Sequence, residues 1–304
     1  MLVLEQILNG LQLGVMLFLM SAGLTLVFGI MQVVNLAHGS FYMIGAYVAA
    51  TVALKTGSFL LGLLAALPAA AIAGMVVEVL ILRKLYHRDH LDQVLATFGL
   101  IFFFNELVRI LWGRQPLFMD VPAWLSGSVQ LFPGIQYPLY RLAIISVGIL
   151  VALFLYLLFS RTRLGMQIRA GATNRDMVGA LGVNIRLLYT LIFGLGTLLA
   201  GLAGVMAGPI LAVEAGMGES VLILTFVVIV IGGIGSVRGA LIGALLVGLV
   251  DTLARAFLPD LFRLFLESSS AADRMGAALA SMSVYIFMAL ILAFKPSGLF
   301  PVTE

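Results

Sequence analysis

Residues 139–160 read LYRLAIISVGILVALFLYLLFS, an apolar run with a single charged residue, Arg141. A helix of about 22 residues is about 33 Å long, which matches the hydrocarbon thickness of a bilayer, about 30 Å. Eight further apolar stretches lie at 7–30, 36–54, 59–82, 94–112, 187–209, 221–235, 239–257 and 276–294. The sequence therefore predicts an all-α fold, a polytopic integral membrane helical bundle with eight or nine transmembrane helices.

The composition is that of a membrane protein. Of the 304 residues, 62% are hydrophobic and 10% are charged, whereas a soluble domain is closer to half apolar and a quarter charged. No segment has the composition of a soluble domain, so we expect a single transmembrane domain over residues 1–304, embedded in a lipid bilayer. The formal charge of +3 is small and gives no indication of nucleic-acid binding. Cysteine is absent, which excludes disulfides and thiol chemistry.

Two glycine-containing joints leave the number of spans open. Residues 32–39 (QVVNLAHG) follow the first stretch, and residues 232–239 (GGIGSVRG) follow the seventh. Each joint is either a surface loop or a broken or re-entrant helix, and polar groups within a membrane mark a path or an interhelical bond. The candidate residues of a translocation path are Asn35, His38, Gly39, Ser40, Gly232, Gly233 and Gly235. The structural alternatives are a hydrogen-bonded turn at the first joint and close helix packing at the second.

The basic residues predict how the chain is oriented. The two densest clusters, at 83–88 and 161–186, are separated by two spans, so they lie on one side, which the positive-inside rule assigns to the cytoplasm. Loops 113–138, 210–220 and 258–275 are then external, and we expect a short amphipathic surface helix within the last of them. The first apolar stretch lacks a preceding positive segment and a following cleavage site, so it is expected to be a retained helix and not a signal peptide.

The segment 161–186 is the only long hydrophilic stretch on the predicted inner side. Asn174, or the threonine before it, is suited to cap a helix, and Met177 and Leu181, four residues apart, would share one face. Gly182 would end this helix in the left-handed conformation. The pattern predicts a surface helix of about two turns. It belongs either to an ordinary basic loop that fixes the topology or to a coupling helix that docks on a cytoplasmic ATPase.

Five patches together resemble the LivH-type family of branched-chain amino-acid permeases. They are VNLAHG at 34–39; Glu78 with the basic loop 83–88; Gly165 through RAGA at 169–172 to LGVN at 181–184; GGIGS at 232–236 with Gly239; and PSGL at 296–299. The resemblance covers essentially the whole chain. It implies a permease subunit of an ATP-driven ABC importer, multi-pass in the bacterial inner membrane, for branched-chain amino acids or similar small solutes.

The resemblance also implies partners. An importer of this family has two cytoplasmic ATPase subunits, a second permease, which we expect to be a paralogue, and a periplasmic or extracellular solute-binding protein. The residues expected to couple this chain to an ATPase are Arg169, Asn174, Met177, Leu181 and Gly182. The chain departs from the family at Thr173-Asn174, where members often carry an acidic pair, and this changes the charges available to the ATPase.

Other functional classes find little support in the sequence. No lysine follows glycines as a Walker A loop requires, and His87 with His90 is more typical of a solvated loop than of a metal site. The alternative function is a stand-alone channel or an ion-coupled secondary transporter, which would need an intramembrane acid. Glu106 and Asp251 are the candidates, but each has an arginine at ion-pair spacing on the same helix face. We therefore expect a transport subunit without a cofactor, and not an enzyme.

Overall fold

The computed structural model describes residues 2–86, 88–132, 134–266 and 268–301. Its helices are α1 (Leu2–Met31), α2 (His38–Thr56), α3 (Phe59–Leu80), α4 (His90–Trp112), α5 (Leu139–Arg161), α6 (Arg163–Thr173), α7 (Arg175–Ala180), α8 (Ile185–Ala207), α9 (Met217–Gly232), α10 (Val237–Arg263) and α11 (Ser269–Phe294). Single turns of 3-10 helix lie at Leu82–Lys84 and Ala123–Leu125, and strands β1 (Ser128–Phe132) and β2 (Ile135–Pro138) form an antiparallel hairpin. All nine predicted apolar stretches form helices, which are α1 to α5 and α8 to α11.

Seven helices in the described ranges are long and apolar enough to cross a membrane, namely α1, α3, α4, α5, α8, α10 and α11. Of the other two predicted spans, α9 has 16 residues and is therefore about 24 Å long. The other, α2, has 19 residues and starts with the polar sequence His38-Gly39-Ser40. The chain is thus a polytopic helical membrane protein, as predicted. Both of the atypical helices begin inside the bundle.

The centre of the bundle is built from α1 and α8. In each of these helices 78% of the membrane-spanning window is buried, against 17% in α5 and 11% in α11. Along the bundle, α1 packs on α8 and α10, and α8 also packs on α2 and α3. The outer helices α4, α5 and α11 expose large apolar side chains, which is expected of helices that face lipid.

Glycine sets how closely the central helices approach one another. A Cβ atom on Gly23 would lie 2.4 Å from the Gly196 carbonyl oxygen, so α1 and α8 meet backbone to backbone. In the same way, a Cβ atom on Gly39 would lie 2.5 Å from the Gly218 carbonyl oxygen, where α2 crosses α9. Such contacts are typical of membrane bundles, in which packing takes the place of the hydrophobic effect between helices.

The two joints have different structures. The first begins at the exposed Gln32 and then enters the bundle, since Val33, Asn35 and Ala37 have no exposed area. It is therefore a break inside the bundle and not a surface loop. The second joint, residues 233–236, is a short turn in which Ile234 is half exposed. The two alternatives that the sequence left open are thus each realised once.

The predicted external segments differ from the sequence-based expectation in two places. The loop 113–138 contains the β1–β2 hairpin, and Leu117 in this loop pairs with Val213 through backbone hydrogen bonds of 2.9 Å in both directions. The expectation of a separate surface helix within 258–275 is wrong. Instead α10 continues through Pro259, where α11 packs so closely that a Cβ atom on Gly276 would lie 2.5 Å from the proline Cα. This packing holds the chain helical on both sides of the connection.

Candidate functional site

The predicted coupling segment lies at the end of the bundle where α5 ends and α8 begins. Its second helix, α7, stands where the sequence placed a short helix. The Asn174 side chain accepts a hydrogen bond from the Met177 backbone N–H at 3.0 Å, and Gly182 follows with a φ of 88°. A helix this short depends on such end interactions, because few of its backbone groups are bonded within it. The predicted helix, its cap and its stop are confirmed.

A preceding helix, α6, was not predicted. The Thr162 hydroxyl caps it by accepting a hydrogen bond from the Gly165 N–H at 3.0 Å, and a Cβ atom on Gly165 would lie 2.2 Å from the Leu158 carbonyl oxygen. This helix therefore folds back tightly onto the end of α5. Leu164 and Ile168 turn towards the bundle, and Ile168 is buried. Their spacing of four residues is the helical signal that would have revealed α6.

Part of this segment is apolar and exposed. Met177 is 59% exposed and Leu181 is 76% exposed, whereas the intervening Val178 is buried. We call the exposed apolar side chains at this end the inner apolar face: Met166, Met177, Leu181 and Leu187. Arg169 is also exposed, on α6. Apolar side chains exposed on an otherwise basic segment are typical of a protein–protein contact surface.

A buried polar network lies beside the predicted coupling segment. Glu78, near the end of α3, has no exposed area, and its carboxylate accepts hydrogen bonds from Arg83 at 2.9 Å, Tyr86 at 2.6 Å and Thr190 at 2.7 Å. Burial, and next the hydrogen bond to Glu78, raises the pKa of the Tyr86 hydroxyl, so this group stays protonated and donates. Because Thr190 belongs to the start of α8, the network joins α3 to the helix that follows α7. Glu78 thus faces the basic loop 83–88.

The polar candidates of the first joint lie in the interior. Asn35 and His38 have no exposed area, and the Asn35 side-chain oxygen accepts a hydrogen bond from the Ala37 N–H at 3.1 Å. In the part of the chain that the structure describes, neither the Asn35 side-chain nitrogen nor the two His38 ring nitrogens have a hydrogen-bond partner. Buried polar atoms are normally paired. These two side chains therefore keep hydrogen-bonding capacity that packing alone does not explain.

Gly39 and Ser40 line a crevice in which the N-terminal ends of α2 and α9 cross. The other polar groups of this crevice are Asn105 of α4 and Glu219 of α9, and the Asn105 amide donates a hydrogen bond to the Glu219 carboxylate at 2.6 Å. The apolar lining consists of Leu36, Met43, Ile101 and Leu222. Sequence reasoning did not connect Asn105 or Glu219 with this place, because they come from distant parts of the chain. The crevice is closed where Gly39 touches Gly218.

The glycine candidates of the second joint form a packed turn. A Cβ atom on Gly232 would lie 2.3 Å from the Gly239 carbonyl oxygen. Gly233 and Gly235 have φ values of 105° and 84°, which favour glycine. None of the three lines the crevice formed by Gly39 and Ser40. Their part in a translocation path stays a prediction, and close packing describes their present geometry.

The two intrahelical ion pairs predicted from their spacing are both formed. Arg109 lies 3.3 Å from Glu106 with both side chains exposed, and Arg255 lies 2.8 Å from Asp251, whose side chain is 9% exposed. Among the described residues no three histidine or carboxylate side chains are grouped as metal ligands. His87, considered with His90 as a loop pair, lies outside the described residues.

The fold is that of a polytopic helical membrane protein, and the comparison with known families gives its class, which is that of transport permeases. Residues 6–294 match the family described as branched-chain amino acid transport system / permease component, and the chain belongs to this family. It is 31% identical to the high-affinity branched-chain amino acid transport system permease protein BraD of Pseudomonas aeruginosa, over 97% of this chain and 95% of that relative. The resemblance inferred from the five sequence patches is confirmed.

Two further relatives extend this comparison. The high-affinity permease protein LivH of Escherichia coli K12 is 30% identical over 84% of this chain and 87% of its own. A probable branched-chain amino acid transport permease protein LivH of Methanocaldococcus jannaschii is 27% identical over 81% and 79%. No solved structure matches the chain. The family is one of transport permeases and not of enzymes.

Proposed function

We propose that this protein is a permease subunit of an ATP-driven ABC importer and forms part of the path of branched-chain amino acids or similar small solutes across the bacterial inner membrane. Its partners would be two cytoplasmic ATPase subunits, a second permease that is a paralogue, and a periplasmic or extracellular solute-binding protein. Family membership supports the proposal. The observation that carries it is the inner apolar face, since the capped helix α7 holds Met177 and Leu181 outward, as docking on a soluble subunit requires.

The connections around α7 suggest how a bound ATPase would act on the bundle. Only residues 181–184 separate α7 from α8, so a displacement of α7 would pass directly to a central helix. The bonds of Glu78 to Thr190 would move α3 with it. A Cβ atom on Gly204 of α8 would lie 2.0 Å from the Tyr42 carbonyl oxygen of α2, so these two helices also shift together. A tilt of α8 would therefore change the contact between α2 and α9 that keeps the crevice closed.

The crevice has groups that suit an aliphatic amino acid. The N-terminal ends of α2 and α9 carry the positive ends of their helix dipoles, which favour a carboxylate, as in broken helices of other transporters. The Glu219 carboxylate would attract an ammonium group, and the apolar lining would accept an aliphatic side chain. Ser40 is 5% exposed and lines the crevice, so its hydroxyl would meet a solute once α2 and α9 separate.

Co-purification in mild detergent tests the proposal. We expect the wild-type chain to bring down two ATPase subunits and a second permease, identified by mass. Leu181→Asp should lower the ATPase yield at least about tenfold, because burying an unpaired carboxylate at the contact costs several kcal/mol, while the second permease is retained. Leu264→Asp is the matched control: Leu264 is 79% exposed beyond the far end of α10, and its replacement should change neither yield.

Two outcomes would overturn the proposal. Full ATPase recovery with Leu181→Asp would show that the inner apolar face is not the docking surface. A wild-type chain that purifies alone and transports leucine in vesicles without ATP would instead establish a channel or an ion-coupled carrier.

A further inference from the structure

A polar cavity lies at the end of the bundle opposite the coupling segment. It is a wide depression, open to the surface, bounded by α1, α5 and α10, and its volume is about 430 Å³, within the range of small-molecule sites, about 300–1,000 Å³. Arg141 lines it from the first turn of α5, whereas α6 follows the last turn, which is about 30 Å away along that helix. In the predicted orientation the cavity faces the external side, where a solute arrives.

Charged and amide side chains from three helices line this cavity. On one side, Arg141 donates a hydrogen bond to the Asn9 side-chain oxygen, and the Asn9 amide donates to the Gln6 side-chain oxygen at 3.3 Å. On α10, the Arg255 Nε donates to Asp251 Oδ2 at 2.8 Å. The Asp251 side chain is 9% exposed, against 56% for Arg255. A carboxylate this deep in an apolar bundle is costly and indicates a site where charge is used.

Both signs of charge remain available to a ligand. A guanidinium has five N–H donors, and Arg141 and Arg255 use only some of them on Asn9 and Asp251. The second carboxylate oxygen of Asp251 accepts no hydrogen bond from the described residues. The cavity thus offers paired donors of the kind that bind a carboxylate and an acceptor for an ammonium group. Leu13 and Ala256 add apolar surface.

We propose that this outer polar cavity, formed by Gln6, Asn9, Gln12, Arg141, Asp251 and Arg255, is an entry site that binds the ammonium and carboxylate groups of a zwitterionic amino acid. The inference rests on the proposed function, in which the cargo is an amino acid. The mixed charge selects this class, because a simple anion would meet Asp251 and a simple cation would meet two arginines. The entry site is separate from the crevice between α2 and α9, with which it shares no residue.

The absence of native cysteine allows a direct test. A single thiol placed by Thr252→Cys, in the cavity wall, reports access to the site in the full chain, purified in mild detergent with the subunits that it retains and reconstituted in vesicles. The measurement is the rate of modification by a neutral, membrane-impermeant thiol reagent added outside. With L-leucine at about ten times its dissociation constant, about a tenth of the sites stay free, so the rate should fall about tenfold. Leucinamide, which lacks the carboxylate, and 4-methylpentanoate, which lacks the ammonium group, should not protect.

Second-site variants in the Thr252→Cys background show which charges act. Asp251→Asn and Arg141→Gln should each abolish protection by leucine. Asp260→Asn is the matched control, because Asp260 is a carboxylate on the same helix whose side chain is 62% exposed and which does not line the cavity; protection should persist.

Several outcomes would overturn the entry site. The first is that leucine does not slow the modification of Thr252→Cys at concentrations that saturate uptake. The second is that leucinamide or 4-methylpentanoate protects the thiol as well as leucine does. The third is that vesicles rich in anionic phospholipid protect the thiol without leucine, which would indicate a lipid site. ATPase recovery is measured on the same sample. If leucine protects the thiol but no ATPase is bound, the entry site is supported and the importer proposal fails. If ATPases are bound but leucine does not protect, the importer proposal is supported and the entry site fails.

Discussion

At the scale of single residues, Glu78 shows how a buried charge can join two helices. Its carboxylate has no exposed area and is held by Arg83, Tyr86 and Thr190. A buried carboxylate is tolerated when each oxygen is paired, and here the partners come from the inner loop and from α8. The residue therefore ties the end of α3 to α8, the helix that follows α7.

Replacing Glu78 by glutamine should destabilise the protein measurably. Glu78→Gln keeps the size of the side chain but removes the charge that Arg83 and Tyr86 bond, so we expect a loss of about 1.5–3 kcal/mol, the range for hydrogen bonds to a charged group. The measurement is the thermal unfolding midpoint of the purified chain in detergent. The matched control is Glu106→Gln, because both side chains of the Glu106–Arg109 ion pair are exposed. Exposed ion pairs contribute at most about 1 kcal/mol to stability. Equal shifts for the two variants would contradict the role of the network.

Residues with local roles are those that the sequence predicts best. The Asn174 cap and the Gly182 stop depend on backbone groups within three or four residues, and both were identified from the sequence. Asn105 and Glu219 meet across 114 positions of the chain. Nothing local to either residue indicates that contact, so the polar part of the crevice could be found only in the folded structure.

For the helices, the length of an apolar stretch predicts that a helix forms. It does not predict whether that helix begins at the surface of the bundle or in its interior. The stretch 221–235 reads as a span, and α9 is about as long, with 16 residues, but it begins four residues earlier, at Met217, inside the bundle. The largely buried stretch 33–37 places the start of α2 in the interior for a similar reason. In both cases the backbone approach of Gly39 to Gly218 fixes the position. Such a contact between glycines leaves no hydropathy signal.

Packing between helices gives a prediction with a matched control. Gly23→Ala would place a methyl group 2.4 Å from the Gly196 carbonyl oxygen, and neither backbone can move without disturbing the centre of the bundle. We expect a loss of about 1–3 kcal/mol from overpacking. Gly99→Ala, on α4, meets nothing within 4 Å and should gain about 0.5–1 kcal/mol from better helix propensity. Unfolding midpoints that shift in the same direction for both variants would refute the close contact of α1 with α8.

At the scale of the whole molecule, function depends on which end of the bundle faces the cytoplasm. The inner apolar face and the outer polar cavity lie at opposite ends, so an ATPase can reach the first only if the second is external. Two features of the chain bear on its orientation in the membrane. Basic clusters lie at 83–88 and 161–186, and the loop 113–138 lies at the opposite ends of α4 and α5. The positive-inside rule then assigns both clusters to the cytoplasm.

Single cysteines in the cysteine-free chain test this orientation. Ser126→Cys, in the exposed part of the loop between α4 and α5, should react with a membrane-impermeant thiol reagent in intact spheroplasts. Ala172→Cys, exposed on α6, should react only after the membrane is permeabilised. Both side chains are small and exposed, so neither replacement should disturb the fold. The reverse pattern would place the inner apolar face outside, where no ATP-driven subunit could dock, and the importer proposal would fail together with the orientation. Labelling of both sites in intact spheroplasts would show a chain inserted in two orientations, and the basic clusters would then not fix its topology.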